Sequence, residues 1–105
     1  MQSKFVNYSR LVSYLGVLDQ NSIGLAIKEV IDQLPKFIEY IDSDIRMLNV
    51  KGTQLLDVKI LFSIRPGLLS EEEKLEQVKR LKEQFDEALT KSFSTQKVIF
   101  NLELD

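Results

Sequence analysis

The chain is small and slightly acidic: it has 105 residues, of which 29% are charged, and a formal net charge of −2 at pH 7. We expect one domain over residues 1–105, and a charge of this sign without a block of Lys or Arg disfavours nucleic acid as a partner. The sequence contains neither Cys nor His, which excludes disulfides and thiolate metal sites and removes the usual general base, so we expect no metal, cofactor or enzymatic activity.

The first predicted element is a helix over residues 3–19. Apolar side chains recur there at helical spacing: Phe5, Tyr8, Val12 and Leu15. A strand is the alternative, because Val12, Tyr14 and Val17 are good strand formers. The polar residues that follow end this element, and Asn21 or Ser22 could cap the next helix.

A long helix is predicted next, over residues 23–48. Its apolar stripe keeps one helical phase: Ile23, Ile27, Val30, Ile31, Leu34, Phe37, Ile38, Ile41, Ile45 and Leu48. Pro35 removes a backbone donor and crowds the carbonyl of Ile31, so we expect a kinked helix or two nearly collinear ones. Asn49 or Gly52 suits a left-handed cap at its end. Residues 1–48 are thus a predicted helical region.

Residues 53–104 predict a strand–helix–strand unit. Apolar and polar residues alternate with a period of two in Thr53–Ile64 and again in Lys97–Leu104. Between them Ser70 and Glu73 form a capping box, and the helix that follows carries an apolar stripe over Leu75–Leu89. Because the helix is long and its loops are short, the chain returns to the same edge, and we expect the strands to be parallel neighbours.

The expected fold class is therefore α+β: N-terminal helical segments followed by a β-α-β unit, a small, partly parallel sheet with helices packed on it. The helix of that unit covers one sheet face, and Leu55, Leu61 and Ile99 lie on the other. The N-terminal helices either fold across this second face, which we favour, or pack beside the other helix and leave the face for a partner.

Both predicted strands would be sheet edges, whose unpaired backbone groups invite another strand. We therefore expect a protein interface formed by the second face and the terminal strand: Leu55, Leu61, Lys97, Ile99, Asn101 and Glu103. A second copy of the chain is the simplest partner, because a twofold axis can join two like edges into a four-stranded sheet.

One group of residues has catalytic potential. Asp57-Val58-Lys59, preceded by Asp44 and by Glu29, resembles the metal-binding core of PD-(D/E)xK nucleases. The resemblance implies that carboxylates hold Mg²⁺ while Lys59 positions the attacking water. Alternation of Asp and Lys is also ordinary patterning on a solvated strand face, and we favour that interpretation.

The predicted function is a non-catalytic protein-binding module, such as an inhibitor, an immunity or antitoxin-like protein, an adaptor or a chaperone. It would act through sheet edges and an apolar helical face. We expect a cytoplasmic location without membrane contact, because no apolar run has the length of a signal peptide or the ~18 residues of a membrane span. Two alternatives stay open: a small Mg²⁺-dependent nuclease using Asp57 and Lys59, and a structural subunit of a phage or larger assembly.

Overall fold

The computed structural model describes residues 4–67 and 69–104, except for the side chains of residues 103 and 104. The elements in these residues are β1 (Lys4–Leu15), α1 (Gln20–Asp32), β2 (Ile38–Val50), β3 (Thr53–Ile64), α2 (Glu71–Thr95) and β4 (Ile99–Leu104). The described strands form one sheet in the order β2-β3-β1-β4, and all neighbours are antiparallel. This β-α-β-β-α-β order is the ferredoxin-like, or split β-α-β, arrangement.

The first element is a strand, so the helix predicted over residues 3–19 is wrong and the strand alternative is correct. Tyr8, Val12 and Tyr14 point to the buried side of the sheet. Tyr8 and Val12 are four residues apart in sequence, which fits one face of a helix and equally one face of a strand. Pairing with β3 on one side and β4 on the other decides between the two patterns.

The long helix predicted over residues 23–48 is wrong beyond Asp32, where α1 ends. Pro35 lies in the turn, and its carbonyl accepts a hydrogen bond from the Ile38 N–H at 3.0 Å. A β-bulge between Tyr40 and Asp42 shifts the register of β2. Because of the bulge, Ile38 and Ile45 both face the helices, although they are seven positions apart in sequence, an odd spacing that would place them on opposite faces of a regular strand. The apolar residues of the bulged strand therefore have a spacing that also fits one face of a helix.

The residues expected to cap that helix form the β2–β3 hairpin turn instead. Lys51 and Gly52 both have positive φ, at 52° and 85°, as a two-residue type I′ hairpin loop requires. The Asn49 side chain accepts a hydrogen bond from the Gly52 N–H at 3.1 Å. A left-handed helix cap and this turn need the same backbone conformation, which is why the sequence suited either one.

The strand–helix–strand unit is present, but its strands are not neighbours. β3 covers Thr53–Ile64 as predicted, and α2 and then β4 follow it in the chain. β1 lies between β3 and β4 and is antiparallel to each of them, so the predicted parallel pair is wrong. β3 is an interior strand, and the edges of the described sheet are β2 and β4. The expected order, a helical region over 1–48 followed by a β-α-β unit, is therefore wrong as well.

Both helices pack on the same face of the sheet. α1 lies beside α2, and Ile23 and Ile27 of α1 are buried in the same core as Leu81, Phe85 and Leu89 of α2. The arrangement that we favoured, with helices on both faces, is therefore wrong: α1 packs beside α2, as in the alternative, and a partner on the second face stays a prediction. Neither helix in the described part of the chain has a stretch long and apolar enough to cross a membrane.

The start of α2 is confirmed as a capping box. The Ser70 side chain accepts a hydrogen bond from the Glu73 N–H at 3.1 Å, and the Glu73 carboxylate accepts one from the Ser70 N–H at 3.2 Å. Glu71, Glu72 and Glu73 also place negative charge at the positive end of the helix dipole. Local sequence therefore sets where α2 begins.

Replacing Ser70 with Ala should lower the free energy of unfolding by about 1 kcal/mol, because the Glu73 N–H loses its partner. Urea unfolding followed by circular dichroism measures the change. Thr90→Ala, at an exposed position inside the same helix, is the control and should stay within about 0.5 kcal/mol of the wild type. Equal stability of the two variants would contradict a stabilising role for the cap.

Candidate interaction surface

The sheet face that points away from both helices is called here the open face. No helix or strand of the described residues packs against it. Its interior strands carry half-buried apolar side chains: Leu11, Leu55 and Leu61. Several more apolar side chains are exposed on it: Phe5, Leu15, Leu48, Val50 and Ile99. The face combines apolar and polar residues, unlike the strictly polar outer face of many antiparallel sheets.

Five of these apolar residues gather where the β2–β3 hairpin turns. We call this group the apolar end: Leu15, Leu48, Val50, Leu55 and Ile99. Leu48 lies opposite Leu55, and Leu15 lies opposite Ile99. Leu15 is 67% exposed and Ile99 is 71% exposed. The apolar end therefore reaches from one edge of the sheet to the other.

The structure brings together only part of the predicted interface. Leu55 and Asn101 share one row across the sheet, joined through Ser13, and Ile99 lies beside them. Leu61 is on the same face but about 20 Å along β3 from Leu55, given the usual rise per residue.

The two remaining predicted interface residues lie outside the apolar end. Lys97 precedes β4 in an exposed turn with a φ of 59°. Glu103 lies opposite Leu11 in the β1–β4 register, and its side chain is outside the described residues.

Sequence reasoning missed the open-face residues of β1 and β2. Phe5, Leu11, Leu15 and Leu48 lay in stretches that were predicted to be helical, and Val50 lay in the segment that was predicted to end the long helix. In β1 the signal was present: Tyr8, Val12 and Tyr14 alternate with more exposed neighbours. In β2 the bulge hides the same signal, because it shifts the alternation by one residue.

The centre of the open face carries four charged residues with balanced signs. Asp44 of β2 lies opposite Lys59 of β3, and Arg46 lies opposite Asp57. The Arg46 Nε is 2.8 Å from an Asp44 carboxylate oxygen, and the Lys59 Nζ is 3.9 Å from one of Asp57. We call these residues the charge quartet. Every member has an oppositely charged neighbour both across the strands and along its own strand.

The charge quartet contains three of the four residues of the nuclease hypothesis. Asp44, Asp57 and Lys59 do lie close together, whereas Glu29 is on α1, across the sheet from them. Among the described residues, no group of three or more His, Cys, Asp or Glu side chains is placed to hold a metal ion. Asp57 and Lys59 alternate along the open-face side of β3, and both interpretations of this pair stay predictions.

On the helix side of the sheet, Tyr8, Arg10 and Asp86 join β1 to α2. The Tyr8 hydroxyl donates a hydrogen bond to Asp86 Oδ1 at 2.6 Å. Arg10 binds both carboxylate oxygens of Asp86, with Nε at 2.9 Å and Nη2 at 3.1 Å. Burial, the hydrogen bond to Asp86 and its negative charge together hold the pKa of the Tyr8 phenol above its ordinary value. This cluster fixes α2 against the centre of β1.

A groove of about 680 Å³ runs between α1 and α2 on the outside of the helix layer. Small side chains, Ala26 on α1 and Ala88 on α2, contribute to its lining, with charged Glu29, Glu87 and Lys91 around them. The groove is open and mixed in polarity, unlike the enclosed, mainly apolar cavities that usually bind small molecules. The groove is therefore a weaker candidate for a binding site than the open face.

Comparison of the chain with protein-family models finds no match, and no curated protein matches it significantly. The ferredoxin-like arrangement does not supply a function by itself, because this fold supports many unrelated activities. The surface of the chain itself is therefore the basis for proposing its function.

Tyr8→Phe should change how stability depends on pH. At neutral pH the variant loses about 1–2 kcal/mol, because Asp86 loses a buried donor. The folded wild type holds the Tyr8 proton at a pH where the unfolded phenol ionises, so its stability falls as pH rises above about 10, by up to about 1.4 kcal/mol per pH unit. The variant lacks this contribution, so the difference in unfolding free energy should shrink toward high pH.

Denaturant unfolding at a series of pH values measures this difference. Phe85→Leu is the control, because it weakens the core beside Tyr8 without removing a titrating group. Its difference from the wild type should stay constant over the same range. A constant difference for Tyr8→Phe as well would contradict the raised pKa.

Proposed function

We propose that the chain is a non-catalytic protein-binding module that binds its partner through the open face, with the apolar end at the centre of the contact. The observation that supports this most is a sheet face that no described helix or strand covers and on which Leu15 and Ile99 are about two-thirds exposed. Exposed apolar side chains gathered in one region typically mark interaction sites in soluble proteins. An inhibitor, an adaptor or a chaperone could each use such a face, and we propose that it acts in the cytoplasm.

The polar surroundings of the apolar end support a protein partner. The charge quartet lies next to it, toward the middle of the sheet, and Asn101 lies at its β4 side. Protein interfaces commonly combine an apolar centre with a polar, solvent-accessible rim. The balanced charges of the quartet would select the orientation of a partner without attracting polyanions over a distance.

The shape of the face favours a partner that presents a helix or a sheet. The described residues extend 47 × 25 × 20 Å. The longest dimension is sufficient for a partner to contact the strands along their whole length. Leu11, Leu55 and Leu61 are half-buried, and the charged Asp57 and Lys59 lie between Leu55 and Leu61 along β3, so the face offers a shallow floor of mixed polarity. Such a floor suits packing of one layer on another at about 10 Å.

Charges placed in the apolar end should weaken partner binding. The test variant is Leu15→Lys with Ile99→Lys, two facing residues whose side chains are 67% and 71% exposed. The control is Leu25→Lys with Leu75→Lys, which changes two helix residues that are 64% and 61% exposed. Because all four positions are largely exposed, both variants should fold with nearly wild-type stability.

Affinity capture from the native host with mass spectrometry identifies proteins that bind the wild type and the control. A purified partner should then bind the wild type and control alike in calorimetry, and bind the apolar-end variant at least about tenfold more weakly, which is about 1.4 kcal/mol. Equal binding of the partner to all three proteins would overturn the open face as the binding surface.

A further inference from the structure

The outer edge of β2 has unsatisfied pairing capacity. β2 pairs with β3 on one side, and no described residue pairs with its backbone as a strand on the other. On that side the Ile45 carbonyl accepts a hydrogen bond from Gln20 Nε2 at 2.9 Å, so the polar backbone groups of Ile45 point outward. In an antiparallel ladder these groups alternate along the strand. Ser43 and Met47 therefore point their N–H and C=O groups outward as well. The Ser43 N–H donates a hydrogen bond to Asp42 Oδ1 at 2.9 Å, which pairing with another strand would replace.

We infer that this edge binds the same edge of a second copy of the chain, antiparallel, with a twofold axis at Ile45. Ile45 then lies opposite the second copy's Ile45, and Ser43 lies opposite the second copy's Met47. Each outward-pointing residue exchanges backbone hydrogen bonds with its opposite, about six in all. The second copy's Ile45 N–H takes the place of the Gln20 amide at the Ile45 carbonyl.

The charged residues of β2 favour this register over registers in which the twofold axis lies at a nearby residue. With the axis at Ile45, Asp44 lies opposite the second copy's Arg46, and Arg46 lies opposite the second copy's Asp44. An axis at Asp44 would place two aspartates together, and an axis at Arg46 would place two arginines together. An axis at Ser43 would bring Asp42 opposite the second copy's Asp44. Like charges directly opposite each other on strands are destabilising, so the axis at Ile45 is favoured.

The bulge in β2 lies outside this pairing. Beyond the extra residue at Ile41, β2 pairs regularly with β3 from Asp42 to Val50. With the axis at Ile45, residues 42–48 face the same stretch of the second copy, so the pairing does not reach the bulge. On the helix side of the sheet, Ile45 would face the second copy's Ile45, and the 40% exposed Met47 would lie diagonally from that same residue, so apolar surface would be buried.

This contact is independent of the proposed function, because it uses the edge of β2 rather than the open face. It also differs from the contact expected from sequence, in which the terminal strand pairs with its copy to give a four-stranded sheet. Each chain already has a four-stranded sheet, and β2 with 13 residues is a longer edge than β4 with six. The pairing would place two open faces side by side in one continuous sheet.

Single cysteines test the register, because the natural sequence contains none. Directly opposite residues of a hydrogen-bonded pair are about 5.5 Å apart between Cα atoms, within the range of a disulfide. Ile45→Cys should therefore form a disulfide-linked dimer with oxidised glutathione. Ser43→Cys and Met47→Cys should not do so as single variants, because their copies lie about 13 Å apart, four residues along the strand.

The double variant Ser43→Cys with Met47→Cys should form the dimer again, because the two positions face each other across the axis. Thermal melting under reducing conditions first establishes that every variant is folded, and sedimentation then gives the mass of the wild type, which is 12.2 kDa as a monomer. A wild-type dimer together with this pattern of crosslinks supports the inference. A monomeric wild type, or crosslinking of Ile45→Cys no faster than of Ser43→Cys, would overturn it.

Discussion

The pairing of β1 with a strand on each side is the interaction on which the rest of the structure depends. β3 and β4 both run antiparallel to β1, and neither contacts the other as a strand. Tyr8, Val12 and Tyr14 therefore lie over the middle of the sheet, where α2 covers them. The hydrogen bonds that Asp86 accepts from Tyr8 and Arg10 then hold α2 against the same strand.

The central position of β1 also explains why one face of the sheet is open. The chain makes two crossovers, from β1 to β2 and from β3 to β4, and each passes over one intervening strand. The two crossovers start at β1 and β3, which are antiparallel to each other. They also cross the sheet in opposite directions, one toward β2 and the other toward β4. Because such connections are right-handed, both helices must lie on the same face. The open face is thus a consequence of topology and not of a missing apolar pattern, since Leu11, Leu55 and Leu61 lie on it.

Two surfaces with different chemistry result from this topology. The open face offers apolar side chains with the balanced charge quartet beside them, which suits packing against another protein layer. The edge of β2 offers backbone hydrogen-bonding groups and a self-complementary order of charge around Ile45. Contact through one surface does not obstruct the other, because a strand added in the plane of the sheet leaves its faces accessible. A dimer could therefore present two open faces to a partner, which increases avidity.

Local sequence determined the elements whose signals do not depend on distant partners. The alternation in Thr53–Ile64 gave the bounds of β3, and Ser70 with Glu73 gave the start of α2. The same alternation correctly placed Leu55, Leu61 and Ile99 on the face opposite α2. These features follow from period and capping, which act over a few residues.

Tertiary structure alone decided the state of the other half of the chain. Residues 4–15 and 38–50 have apolar spacings that a helix could also use, and only pairing with β3 and β4 makes them strands. The bulge at Ile41 and the insertion of β1 between β3 and β4 have no local signature. The apolar end and the charge quartet are assembled from residues distant in the sequence, so they exist only once these strands have paired.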